Sequence, residues 1–233
     1  MLKKFTVVLA LAGALTTSFA VASETASTIT PDQALAKLMA GNKHFAEGEV
    51  EHLKEMIKPS VRIDNAVNGQ KPYAIVLSCA DSRVPVEEIF DKGIGEIFVA
   101  RVAGNIAPEE TLGSIEYGVE HLGAPLIMVL GHSKCGAVKA TYDAHLAPPT
   151  EAELEKMGHI VSLVKAIDPA VTAVLAENPA AGVEECVVEN VNKVAEKIEK
   201  ESKIVEEAIL AGKLKIVKAK YDITTGVVSL LPH

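Results

Sequence analysis

The stretch Tyr73-Ala74-Ile75-Val76-Leu77-Ser78-Cys79-Ala80-Asp81-Ser82-Arg83-Val84-Pro85 decides how this sequence is read. Its first half is an unbroken apolar run entered from a polar loop, the pattern of a strand buried on both faces. Its second half puts a thiol, a carboxylate and a guanidinium on alternate positions, at Cys79, Asp81 and Arg83. A turn alone accounts for Asp81 and Ser82, whose side chains bond their own backbone. It leaves the thiol and the arginine unexplained.

Outward from this strand the same alternation of apolar runs and helical periods continues. Glu96–Val102 and Leu126–Leu130 read as further buried strands, with Val86–Phe90 and Glu109–Leu122 as helices between them. Thr30-Pro31-Asp32-Gln33 is a capping box with proline at the first helical position, opening a helix from about Asp32 to Ala46. Residues 47–72 are mixed and polar and end in a loop, while 151–210 have a helical period interrupted at Pro169 and Pro179. Leu214–Tyr221 alternates like a strand with one wet face, and Val227–Leu231 returns from the turn at Thr224-Thr225-Gly226. The expected fold is α/β: a mostly parallel sheet flanked by helices, with an N-terminal helical arm and a C-terminal hairpin strand. Gly93-Ile94-Gly95 precedes a strand and lacks a third glycine, so it is not a nucleotide loop.

The 233 residues are 48% apolar, enough for one well-buried domain, expected over residues 30–231. The formal charge of −8, with no basic cluster beyond the first four residues, excludes nucleic acid and anionic membrane as natural partners. At the start, Lys3 and Lys4 precede the apolar run Phe5–Leu15, and Ala20-Val21-Ala22 has the small-x-small form read by signal peptidase. This predicts a signal peptide over residues 1–22, cleaved after Ala22 or Ser23, and a periplasmic protein. The run is too short for a membrane span, and no cysteine precedes Cys79 to carry a lipid anchor.

A second chemical group follows the third strand, in Gly131-His132-Ser133-Lys134-Cys135-Gly136. Ligands of open parallel sheets bind beyond the carboxyl ends of strands. Should the first and third strands be neighbours, Cys79, His132 and Cys135 converge there, with the i,i+3 pair at the start of a helix. Two thiolates and an imidazole suit zinc, and three protein ligands leave a position for water. Other readings stay open on spacing alone. His132 could be a core histidine, and Cys79 and Cys135 could form a disulfide in an oxidising compartment. Cys186 could complete a structural zinc site, although its helical surroundings favour a buried thiol.

The two motifs in this order resemble those of the β-class carbonic anhydrases. Arg101-Val102-Ala103-Gly104-Asn105, Gly113-Ser114-Ile115-Glu116-Tyr117 and Tyr221-Asp222 add to a resemblance that spans roughly residues 30–231. It implies one zinc ion per subunit, held by Cys79, His132 and Cys135. In a closed form Asp81 would be the fourth metal ligand; in an open form it would pair with Arg83 and orient a zinc-bound hydroxide that attacks carbon dioxide to give bicarbonate. The resemblance places Gln70, Phe98, Ala103 and Tyr117 at the substrate pocket, reaching the zinc of a neighbouring subunit. A homodimer or dimer of dimers is implied, with the Asp32–Ala46 helix as an arm around the partner. Family members with a bicarbonate lock carry a tryptophan where this chain has Val76, and Gln70 matches the open subgroup, so an open site is expected. Carbon disulfide or carbonyl sulfide hydrolysis on the same centre is the nearest alternative. A non-catalytic zinc protein or a disulfide-stabilised binding module is a more distant one.

Overall fold

The computed structural model describes residues 29–232. The signal peptide expected over residues 1–22 lies outside them. In chain order the elements are Pro31–Glu47 (α1), Glu51–Met56 (α2), Pro59–Asn68 (α3), Ala74–Ser78 (β1), Val86–Ile89 (α4) and Ile97–Arg101 (β2). A short 3-10 turn at Ala103–Asn105 leads to Glu109–Glu120 (α5), Leu126–His132 (β3), Gly136–Leu146 (α6) and Glu151–Met157 (α7). Ile160–Glu177 (α8), Val183–Glu201 (α9), Lys203–Leu210 (α10), Lys215–Tyr221 (β4) and Val228–Leu230 (β5) complete the chain.

The five strands form one sheet in the order β2-β1-β3-β4-β5. All neighbours are parallel except β5, which runs antiparallel to β4 as a hairpin. Side chains of a strand alternate between faces, and the core divides accordingly. Val76, Met128, Leu130, Val217 and Ala219 pack with α1 and α4 through Ala34, Leu38, Ile89 and Phe90. Ile75, Leu77, Ile127 and Val129 pack on the opposite face with α5, α9 and α10. Every residue of β1 and β3 is buried, which is why both read as continuous apolar runs. β4 shows the expected alternation, burying Val217, Ala219 and Tyr221.

The capping box at the start of α1 is present: Gln33 N–H donates to Thr30 Oγ1 at 3.2 Å, and Thr30 N–H donates to Gln33 Oε1 at 2.8 Å. Residues 47–72 depart from expectation. They hold two short helices, α2 and α3, neither with a buried residue, so no apolar stripe announced them. Pro59 at the first turn of α3 and Gly69 past its end are the local signals. Pro169 does not interrupt α8, which runs through it. Proline removes one N–H and crowds the preceding turn, but Ile167, Ala170 and Val171 are buried around it and hold the helix in place. The expected break at Pro179 is present, at Asn178–Gly182, and further breaks fall at Gly158–His159 and at Ser202. Helix α6 has no counterpart in the sequence reading beyond its start.

Between β1 and β3 the order of strands reverses, since β2 lies on one side of β1 and β3 on the other. This is the switch point at which open α/β sheets hold ligands. Ser78 is level with Leu130, so the chain leaves β1 beside the end of β3.

Candidate metal centre

Three side chains meet at this switch point. Cys79 follows β1, His132 ends β3, and Cys135 caps the N-terminus of α6. Their ligand atoms, two sulfurs and one ring nitrogen, all lie within 4.8 Å of one another, and all three residues are buried. His132 and Cys135 do not share a helix turn as expected. His132 belongs to the strand, and the pair is brought together by a tight turn in which Lys134 has a left-handed backbone, φ 56°.

The residues fit a metal ion. His132 Nδ1 lies 3.0 Å from the Ser133 carbonyl, which can only accept, so Nδ1 carries the proton. Nε2 is then a bare lone pair, fully buried, with no hydrogen-bond partner. An orphaned acceptor of this kind is costly unless something binds it, and it faces two cysteine sulfurs. A backbone carbonyl fixing the far nitrogen of an imidazole is the usual support for a metal-ligating histidine.

Electrostatics favour a thiolate at this spot. Cys79 is pushed down, first by a hydrogen bond from Cys135, against the cost of burial, and further by the Gly104 amide. Cys135, which supplies that hydrogen bond, is pushed up in turn. The Gly104 N–H donates to Cys79 Sγ at 3.2 Å. Gly104 has φ 73°, and a Cβ there would come within 2.5 Å of Ile167 Cδ1, so only glycine lets this amide approach the sulfur.

Asp81 is not in the cysteine–histidine group. Its two oxygens face Arg83, with Nε to Oδ1 at 2.9 Å and Nη2 to Oδ2 at 2.7 Å, a bidentate fork. That side-chain bond with Arg83 holds the Asp81 carboxyl well below the usual carboxylate range, against some desolvation. Asp81 Oδ2 is still only 4.0 Å from His132 Nε2. The aspartate therefore stands ionised at the edge of the centre, in the open arrangement.

The sequence assigns Arg101 no role beyond its place in a family-like stretch, yet it ties this segment down. It donates to the Cys79 carbonyl at 3.0 Å and to the Asp81 carbonyl at 2.7 Å. Asn190, buried on α9, donates to the Gly104 carbonyl at 2.8 Å. It stands on the stripe of Val187, Val191, Val194 and Ile198, and a polar residue on that stripe is the signal that could have found it. Ala103 adjoins the centre through Gly104. Phe98 and Tyr117 form an aromatic pair of their own, centroids 6.3 Å apart, with Tyr117 47% exposed. Gln70 is exposed in the loop before β1. Cys186 is a fully buried thiol in the apolar cluster around the centre, outside the ligand group.

The model of the carbonic anhydrase family matches residues 74–228. This chain belongs to that family. Carbonic anhydrase 2 of Mycobacterium tuberculosis is 36% identical over 206 residues, covering 87% of this chain and 94% of the relative. A solved β-carbonic anhydrase of Aspergillus fumigatus superposes with a TM-score of 0.63 at 27% identity, over 86% of this chain and 89% of its own. Two β-carbonic anhydrases of Sordaria macrospora, described as tetrameric, share the fold: one solved chain superposes with a TM-score of 0.66 at 22% identity, over 86% of this chain and 98% of its own. The protein is thus a carbonic anhydrase of the β class, a zinc-dependent family whose general reaction is the hydration of carbon dioxide. The comparisons lend no support to a sulfur-substrate hydrolase or a passive zinc carrier.

Proposed function

We propose that this carbonic anhydrase interconverts carbon dioxide and bicarbonate at zinc held by Cys79, His132 and Cys135, with Asp81 and Arg83 as its orienting pair. The observation that carries the reading is the bidentate Asp81–Arg83 fork standing beside a buried Cys/His/Cys group that it does not join. Bound there, zinc supplies a Lewis acid that brings the pKa of a water molecule down toward ~7. Asp81, kept ionised by Arg83, has lone pairs and no proton to give. It accepts a hydrogen bond from the attacking oxygen and so turns that oxygen's free lone pair toward carbon dioxide. Orientation of this kind replaces a search through rotations with one productive pose. Arginine suits the task because its planar fork fixes both carboxylate oxygens at once, which lysine does not.

The substrate pocket is assigned to Ala103 beside the centre and to Gln70, Phe98 and Tyr117. Exposure of Gln70 and Tyr117 in the single chain supports their service in a neighbouring subunit's site. β2, which carries Phe98, is an edge strand and leaves that side of the sheet open. A homodimer or dimer of dimers follows, with α1 as the arm, acting in the periplasm after export.

The test is carbon dioxide hydration followed by stopped flow on zinc-quantified protein, with Asp81→Ala alongside. Zinc content near one per chain in both, with hydration lowered at least about a hundredfold in the variant, is the expected result. A fully metallated wild type without hydration activity would sink the reading. A variant as active as wild type would remove Asp81 from its role.

A further inference from the structure

Between the two ligands on the second segment sits one residue in a conformation it disfavours. Lys134 has φ 56°, a left-handed backbone in which a lysine is uncommon and which persists only when its surroundings over-determine it. Both sides of this residue are held. Its carbonyl accepts from Arg83 Nη2 at 3.2 Å, and its N–H donates to Glu184 Oε1 at 2.8 Å. The first contact belongs to the Asp81–Arg83 pair. The second comes from a helix far along the chain, with no part in the sequence motifs.

Glu184 is at the second position of α9 and is itself aimed by an ion pair from Oε2 to Lys220 of β4. The neighbouring Ser133 is pinned to the same strand region: its N–H donates to the Tyr221 carbonyl at 2.9 Å, and its Oγ accepts from the Ile223 N–H at 3.1 Å. The turn that spaces His132 from Cys135 is therefore braced by β4, by the segment after it, by α9 and by Arg83.

We propose that Glu184 is a positioning residue of the metal centre: by accepting the Lys134 N–H it holds the left-handed turn that sets the His132-to-Cys135 spacing. This rests on the reading of Cys79, His132 and Cys135 as zinc ligands. Glu184 hydrogen-bonds neither the ligands nor Asp81, and acts through the Ser133–Lys134 peptide that lies between His132 and Cys135. Without it, Lys134 is free to relax toward an ordinary backbone, carrying Cys135 away from His132. Partners of metal ligands of this sort typically change metal affinity by about 10–100-fold.

Glu184→Ala is a suitable probe because the side chain is 44% exposed, so its truncation opens no core cavity. Zinc-loaded wild type and variant are mixed with excess chromophoric chelator and the transfer of zinc is timed. Both are also loaded with cobalt(II) and the thiolate-to-cobalt absorption band recorded. Glu184→Ala is expected to release zinc about tenfold faster and to shift the cobalt band. Glu184→Gln, which keeps an oxygen to accept the N–H, falls between. The decisive variant is the double change Glu184→Ala with Lys134→Gly. Glycine adopts positive φ without strain, so it removes the need for the brace and restores slow release. Release and spectrum unchanged in Glu184→Ala would overturn the proposal, as would a double variant no better than the single. A wild type that takes up no zinc would instead bring down the zinc-ligand reading and this inference with it.

Discussion

Two regions flank β1 in sequence and are built on opposite principles. On its far side, the centre at the ends of β1 and β3 is buried and braced from distant parts of the chain, by Arg101, Asn190 and Ser133. On its near side, α2 and α3 bury no residue, and Ile57, Ile63 and Val67 are 53%, 65% and 77% exposed. What holds α2 is polar: His52 Nε2 to Glu96 Oε2 at 2.7 Å, and the Leu53 N–H to Asp91 Oδ1 at 2.8 Å. The lesson is that a metal centre tolerates little slack, because its ligands must share one small volume. A surface segment can rest on a few polar contacts and keep its apolar side chains for another use.

Removing a ligand should break the contrast most sharply. Cys135→Ser is expected to lose tightly held zinc and essentially all carbon dioxide hydration, read by metal analysis and stopped flow, while circular dichroism shows the fold intact. Retention of zinc with wild-type activity would contradict the centre as described. Arg83→Lys should be milder, lowering hydration by about tenfold or more with zinc content unchanged, since lysine forms a point contact where arginine forms two.

Packing changes come next in size. Ile127→Ala near the start of β3 should cost about 2–5 kcal/mol in denaturant unfolding, because Ile127 is fully buried. Ile63→Ala on α3 should change the stability of the folded chain by no more than about 0.5 kcal/mol. Equal effects at the two positions would mean that α3 is not the unpacked segment described above.

A pH titration sharpens the near side of the comparison. Burial alone would raise Glu96, but the Gly93 amide, His52 and Lys37 more than reverse it, leaving its carboxyl below the ordinary 4.5. A carboxyl depressed in the folded state stabilises it above the unfolded value, and that contribution is lost as pH falls through the folded one. Thermal stability should therefore drop as pH falls from about 4.5, and Glu96→Gln should remove that part of the acid limb, read as a shallower fall of Tm below that pH. Identical acid limbs in the two proteins would count against Glu96 as the fastening point.

The smallest expected change is chemical. Metal-free protein treated with oxidised glutathione should join Cys79 to Cys135, releasing two molecules of reduced glutathione, while Cys186, outside the group that brings those two sulfurs together, stays a thiol. Peptide mapping by mass spectrometry reads the bond directly. Both thiols still reduced after treatment would show that the metal-free centre does not let them meet.

Much of this was legible in advance where local chemistry and local pattern coincide. The strands carrying Val76 and Met128 are buried on both faces and therefore apolar throughout, which a linear reading detects. Cys79 and His132 stand at strand ends and Cys135 at the start of a helix, where the pattern stops and reactive residue types have no packing reason to be. α2 and α3 were missed because they bury nothing and so show no stripe. α8 was cut at Pro169 because propensity alone ends a helix there, whereas burial of Ile167 and Val171 outweighs the lost hydrogen bond.

By itself, then, the sequence determined the residue types of the centre, the family, and the α/β alternation, since these depend on composition and on neighbours a few positions apart. Only the tertiary structure decided that β1 lies against β3 and that Arg101, Asn190 and Glu184 brace the ligand segments. Those contacts join residues 20 to 86 positions apart, as Arg101 to Asp81 and Asn190 to Gly104 do. A long-range contact leaves no period in the chain. It is specified only when the sheet order and the packing of α9 bring its two ends together.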